Sequence, residues 1–465
     1  MRWYLAAVLA SVLIGGCAAS PPSLTIDNVT VIDAVNGVQR GQRVVVVGDR
    51  IARVSASGAT PIRGDVVDGS GKFLIPGLWD MHVHLTYEPR LIESMPALFL
   101  RHGITSVRDT GGQLDVLMPV VRKMRAPNAI APRVFFSGPL LDGRDVVYNG
   151  INVPSIGVAT PDVATASRRV AELVTAGVDF IKIYEMVDPD VFAALAHAAR
   201  QAGLPIAAHV PLSMTASAAA PLIDSLEHVR NVEFDCAANA EQLLRERRET
   251  LADMSGQAAL AVRGALHRAQ RPRALAAFDP TRCQAVINAL RRVVQVPTMR
   301  LNTMFITPPW RRVGWDAALQ QLPADVQAEW QAPPTWFEPD DTKRDTSLST
   351  FTLDIVAAMA AADVPIGAGT DTPIGRAIPG YSLHNELVVM VEAGLTTEQA
   401  LAAATVVPAA FFGLADKAGS IDAGKWADLV LLDANPLDDI ANTQRIAEVI
   451  FRGRRLTSEQ LTADR

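Results

Sequence analysis

The chain has 465 residues, 49% of them hydrophobic and 20% charged, with a formal net charge of -6 at pH 7. That balance excludes a disordered chain, and without a basic excess it also excludes nucleic acid as a natural partner. The length is too great for one small core and suits a large barrel plus a smaller unit.

Arg2 precedes the apolar run "WYLAAVLASVLIGG", too short to span a bilayer as a mature helix and laid out like an export signal. It runs into "IGGC" (14–17), which resembles a bacterial lipoprotein box. Residues 1–17 are therefore expected to be signal and lipobox, with Cys17 lipidated, and residues 18–23 a tether. A plain secretory signal cut nearby is the alternative. The expected location is the periplasmic face, with the membrane reached through the lipid on Cys17. Of three cysteines, Cys236 and Cys283 remain. Two cannot make a disulfide framework; they either pair in an oxidising periplasm or stay free thiols.

Residues 24–74 hold the β-rich runs "LTIDNVTVID", "QRVVVVGDRIARV" and "DVVDGSGKFLIPG". The short-strand pattern returns over 415–460, in "AGSIDAGKWADLVLLDANP" and "IAEVIFRGRRL". The two chain ends are thus expected to build one small β-sandwich domain around an α/β unit at 75–414.

Within 75–414, strand-like segments alternate with helix-like ones such as "VATASRRVAELVTAG" and "DVFAALAHAARQAG", whose last Gly residues are good helix stops. The candidate strands are "LWDMHVH" (78–84), "TSVRDT" (105–110), "RVFFSG" (133–138), "FIKIY" (180–184), "IAAHV" (206–210), "DSLEHV" (224–229), "VPTMRLN" (296–302) and "IGAGTD" (366–371). Eight strands alternating with helices predict a (β/α)8 TIM-type barrel. From 231 to 348 the chain is longer than a barrel connection needs and holds Trp310, Trp315, Trp330 and Trp336 beside prolines. This is expected either to form a lid shaping the pocket for an apolar or aromatic group, or to pack on the barrel.

His82 and His84 end the first candidate strand two residues apart, on one face. Lys182 lies in the fourth, His209 ends the fifth, His228 the sixth and Asp371 the eighth. Singly, each has an ordinary explanation: a structural histidine, a snorkelling lysine, a turn-capping aspartate. In a barrel, however, all these ends open onto one face, and one metal site explains all six together.

With these motifs in order, the sequence resembles the amidohydrolase superfamily, in its binuclear-metal branch of prolidase-like and imidazolonepropionase-like enzymes. The resemblance rests on "IPGLWDMHVHL", "GITSVRDTGG", "GVDFIKIY", "GLPIAAHV", "SLEHV", "GAGTDTP", "EAGLTTEQALAAAT" and "GSIDAGKWADLVLLDANP". It implies that His82 and His84 bind a buried divalent ion and His209 and His228 a more exposed one. Lys182 would bridge both as a carbamate made with carbon dioxide, and Asp371 would bind the first ion and shuttle protons. Imidazole and oxygen ligands suit two zinc or similar ions. Such a pair activates a water for attack on a carbonyl, and no serine elbow argues for a covalent route.

The implied activity is hydrolysis of a peptide or cyclic amide, on a small-molecule or short-peptide substrate. The alternatives are a lactonase or ester hydrolase on the same residues, or a metal- or ligand-binding lipoprotein without turnover. The third-strand loop lacks the histidine expected of a dipeptidase of this kind. By position, Arg144, Tyr148, Arg376, Tyr381 and His384 are candidate pocket residues.

Overall fold

The computed structural model describes residues 23–58, 64–254, 256–457 and 459–461. The segments expected to be export signal, lipobox with Cys17 and tether, up to residue 22, lie outside the described residues.

Parallel staves close into a barrel in chain order: Leu78–Val83, Ile104–Asp109, Arg133–Phe136 continued by Leu140–Asp142, Ile181–Ile183, Ile206–Ala208, Ser225–Glu227 and Val294–Val296. Their residues are almost all buried, as expected for strands packed on both faces. The eighth stave is residues 365–372. The amides of Gly367 and Met81 donate to the carbonyls of Gln295 and Ala368, each at 2.8 Å, and those of Asp371 and His84 donate to His82 and Thr372 at 2.7 Å. The chain passes close to the first stave here: a Cβ on Gly367 would run into Met81 Sδ, and one on Gly369 would fall 2.8 Å from His82 Cβ.

The seventh stave corrects the sequence expectation. It runs over Val294–Val296 and not 296–302, because Pro297 offers no N–H and Thr298 turns left-handed (φ 45°) into a helical turn, Met299–Asn302. The helices behave as their termini dictate. Asp162 caps Val163–Ala176 by accepting from the Thr165 amide, and Gly177 ends it at φ 76°.

Both chain ends enter one mixed sheet. Leu429–Leu432 pairs antiparallel with Phe73–Pro76 on one side and with Ile446–Phe451 on the other, while Phe73–Pro76 runs parallel to Ser23–Asp33. Gly37–Val47 and Arg50–Ala56 extend the sheet beyond Ser23–Asp33. It has a core of its own, including Ile26, Val44, Leu74, Leu429 and Ile450.

The long stretch from 231 to 348 is divided by the seventh stave. Ahead of it stand Val232–Asp235, Ala240–Ala252, Ala259–Ala276 and Pro280–Ala289; the tryptophans follow it. Cys236 and Cys283 form a disulfide across the first part, with Cα atoms 4.2 Å apart and a sequence separation of 47. Reducing it should lower stability by about 2–4 kcal/mol through the freed loop. The urea midpoint with and without dithiothreitol measures this, and an unmoved midpoint would contradict it.

Candidate metal centre

The C-terminal ends of the staves enclose a cavity of about 80 Å³. His82, His84, Lys182, His209, His228 and Asp371 all line it, and all are buried. The pair at the first strand end comes together as its spacing predicts, with His82 at the penultimate position of the strand and His84 just beyond it. His82 Nε2 stands 3.2 Å and His84 Nε2 3.3 Å from Asp371 Oδ1. Ring centroids of His82 and His228 are 4.6 Å apart, and those of His209 and His228 4.8 Å apart.

Each imidazole is oriented through its other nitrogen. His82 Nδ1 donates to Glu227 Oε2 at 2.6 Å, His84 Nδ1 to the Gly111 carbonyl at 3.0 Å and His209 Nδ1 to Glu185 Oε1 at 2.7 Å. These acceptors cannot donate, so they fix the tautomer, and in the neutral ring Nε2 presents a bare lone pair. His228 Nδ1 is held by Thr298 Oγ1 at 2.7 Å. Lone pairs turned toward a carboxylate oxygen repel unless a cation lies among them. The potential ligand atoms of His82, His228 and Asp371 all fall within 4.8 Å of one another, which suits a divalent ion.

Lys182 Nζ is buried without a hydrogen-bond partner. Burial pushes its ammonium down to about 8, against the opposing pull of Glu227. Burial, and then the Lys182 charge, holds His209 down to about 3. At Asp371 burial alone would raise the carboxyl, but the surrounding histidines outweigh it and keep it well below the usual carboxylate range. The backbone is strained here: His228, Val229 and Asp371 adopt φ of 64°, 52° and 62°. For a β-branched residue such as Val229 this is rare, and such positions cluster at functional sites.

Long-range partners hold the arrangement, and the sequence offered no separate signal for them. Arg108 donates to Glu227 Oε1 at 2.7 Å and to Ser225 Oγ at 2.9 Å, so Glu227 bears on His82 as an ionised group. Glu185 is gripped by Arg263, 2.8 and 3.0 Å away, with His267 Nε2 at 3.4 Å. Both come from Ala259–Ala276, so the helical part ahead of the seventh stave bears on the metal centre through Glu185 and His209. Removing such a partner typically weakens metal binding about 10–100-fold. Arg263→Ala should therefore lose metal to a chelator at concentrations the parent protein resists; equal resistance would show that the contact is dispensable.

Of the residues singled out by position, Tyr148 lines the cavity. Arg144 is exposed and does not line it. His384 is a correction: it is buried with Nδ1 on Thr443 Oγ1 at 2.9 Å and Nε2 on the His102 carbonyl at 3.0 Å, so neither nitrogen is free for a substrate. Tyr381 is likewise turned away, donating to the Val313 carbonyl at 2.8 Å. Tyr184, Arg230, Leu301 and Ile374 also line the cavity, and Arg230 follows His228 by two positions in "EHVRN".

Residues 324–456 match the family model described as "Amidohydrolase family". A stretch of 82 residues is 52% identical to an imidazolonepropionase of Thermoplasma acidophilum, over 17% of this chain and 18% of that protein. The chain spans less than a fifth of the length of the curated relatives it matches. The fold extends much further. A bottromycin amidohydrolase structure superposes with a TM-score of 0.69 at 24% identity, covering 95% of this chain and 89% of that one. A Xaa-Pro dipeptidase with bound methionine gives 0.67 at 19% identity, covering 94% and 100%.

Proposed function

We propose that this chain is a metal-dependent hydrolase of the amidohydrolase superfamily that cleaves an amide bond, in a peptide or a cyclic amide. The observation that carries the proposal is the set of imidazole nitrogens turned with Asp371 Oδ1 onto one small cavity beside an unpartnered buried lysine. His82, His84 and Asp371 would hold one divalent ion, zinc by ligand type, and His209 and His228 a second. Bound there, such ions polarise a carbonyl and lower the pKa of a water.

The chain's own groups do the rest. Asp371, held ionised, accepts the proton of the attacking water on its carboxylate and returns it to the leaving nitrogen. Arg230 offers a cation beside the centre for an acidic group of the substrate, although it shares Glu185 at 3.5 Å. Lys182 would take part as a carbamate: its neutral amine would form an N–C bond with carbon dioxide and release one proton, supplying an anionic ligand to the centre. Similarity to a dipeptidase and an amidohydrolase of known structure supports a C–N bond as the target. Export and lipidation at Cys17 belong to the same proposal, and the Cys236–Cys283 disulfide suits an oxidising compartment.

Carbamate formation needs the neutral amine, whose population rises with pH through about 8. At fixed dissolved carbon dioxide, metal uptake by stripped protein should be roughly twentyfold faster at pH 8.5 than at pH 6.5. Equal rates would remove the lysine from the process. The activity itself is tested by comparing metal-loaded protein on dipeptides, N-acyl amino acids, cyclic amides and lactones. Turnover of lactones alone would replace the amide assignment with an ester one.

A further inference from the structure

Beside the metal cavity lies a second cleft of about 360 Å³, lined by Tyr87, Trp310, Trp330 and Trp336 among others. The two share a wall. Ile374 lines both, and Tyr87 has its ring centroid 6.1 Å from that of His84. Pro373, Ile374 and Gly375 on the cleft wall directly follow Asp371 and Thr372 in the chain.

The aromatic wall is built and fixed. Trp310 meets Phe337 edge to face at 4.8 Å, and Phe337 stacks on Phe305 at 5.8 Å with planes 8° apart. Arg376 fastens this wall to the loop after Asp371: its guanidinium lies 5.7 Å from the Trp310 ring and donates to the carbonyls of Trp330 and Glu329, both at 3.3 Å, and to that of Ala332. Trp336, by contrast, is 64% exposed at the cleft, an apolar surface that water solvates poorly. The acidic groups at the cleft are already paired, since Arg90 sits 2.8 Å from Glu88 and 2.7 Å from Glu329, and Arg376 adds a second cation to the wall. An uncharged flat group therefore fits the cleft better than an ion.

We infer that this cleft is a subsite for a flat apolar substituent of the substrate, an aromatic acyl or aryl group, stacked on Trp336 and Trp310 while the scissile amide reaches the metal cavity. The inference rests on the hydrolase proposal for what the occupant is attached to, but the subsite can be tested without turnover. Calorimetric titration of the metal-loaded full chain with 2-naphthamide, with acetamide as reference, reads the subsite directly. Saturable binding of naphthamide is expected, weakened about tenfold or more in Trp336→Ala. No saturable binding, or equal binding by Trp336→Ala and the parent in a folded protein, overturns it. Trp336-dependent binding in a protein that turns over no amide would uphold the subsite and defeat the hydrolase proposal alone. Where naphthoyl and acetyl amides are both hydrolysed, Trp336→Ala should raise KM for the naphthoyl compound only; an equal rise for both overturns the assignment.

Discussion

Lys182→Ala should reduce the bound metal to one ion per chain or fewer and lower kcat/KM by about a thousandfold or more, roughly 4 kcal/mol of transition-state stabilisation. The expectation follows from where the amine sits. Lys182 Nζ has no hydrogen-bond partner, lies in a cavity with four imidazoles and a carboxylate, and is pushed by burial toward its neutral form. A lysine kept only for packing would be expected to reach water or a carboxylate with its ammonium. Short-chain carboxylates added to the alanine variant should restore part of the metal content and activity, because they can replace the anionic bridge but not a packing stem. Full activity and metal content in Lys182→Ala would leave the lysine without a role in the centre.

Asp371→Asn separates catalysis from binding. The asparagine keeps the size and one oxygen but cannot carry a proton between water and leaving group, so kcat should fall about 10²–10⁴-fold while metal remains bound. The carboxylate is held ionised by the histidines around it, and its oxygen lies within reach of both His82 and His84. A protein that only stores metal or binds a ligand needs Asp371 at most as a ligand and not as a proton carrier. Loss of turnover together with loss of metal would instead assign Asp371 a ligand role alone; unchanged turnover would exclude it as the proton carrier.

The barrel was legible because its staves are buried on both faces and read as short apolar runs ending in polar residues. The run from Leu78 to Val83 and the pair His82 and His84 show this most plainly. The same rule overextended the seventh stave, since "VPTMRLN" is apolar enough for a strand but Pro297 and the left-handed Thr298 redirect it. The eighth was found although its pairing is irregular; its glycines are there to let the chain pass close to Met81 and His82.

The groups that orient the imidazoles could not be found in this way. Glu227 adjoins His228 in sequence but serves His82, 145 residues away, and Arg108 reaches it across 119 residues. Glu185 takes Arg263 from 78 residues downstream. Pairings of that kind depend on barrel closure and leave no local pattern. Position alone also misled in the opposite direction. His384 is polar and near the end of the barrel sequence, yet the helix Tyr381–Glu392 buries it between Thr443 and His102.

The most direct test of the account is the number of metal ions per chain in the protein, purified with divalent metal and bicarbonate present and measured by elemental analysis. Two ions per chain, with an acid-labile carbon dioxide released in equal amount to the protein, is the predicted result. One ion or none in fully folded protein, with no carbon dioxide released, would contradict it.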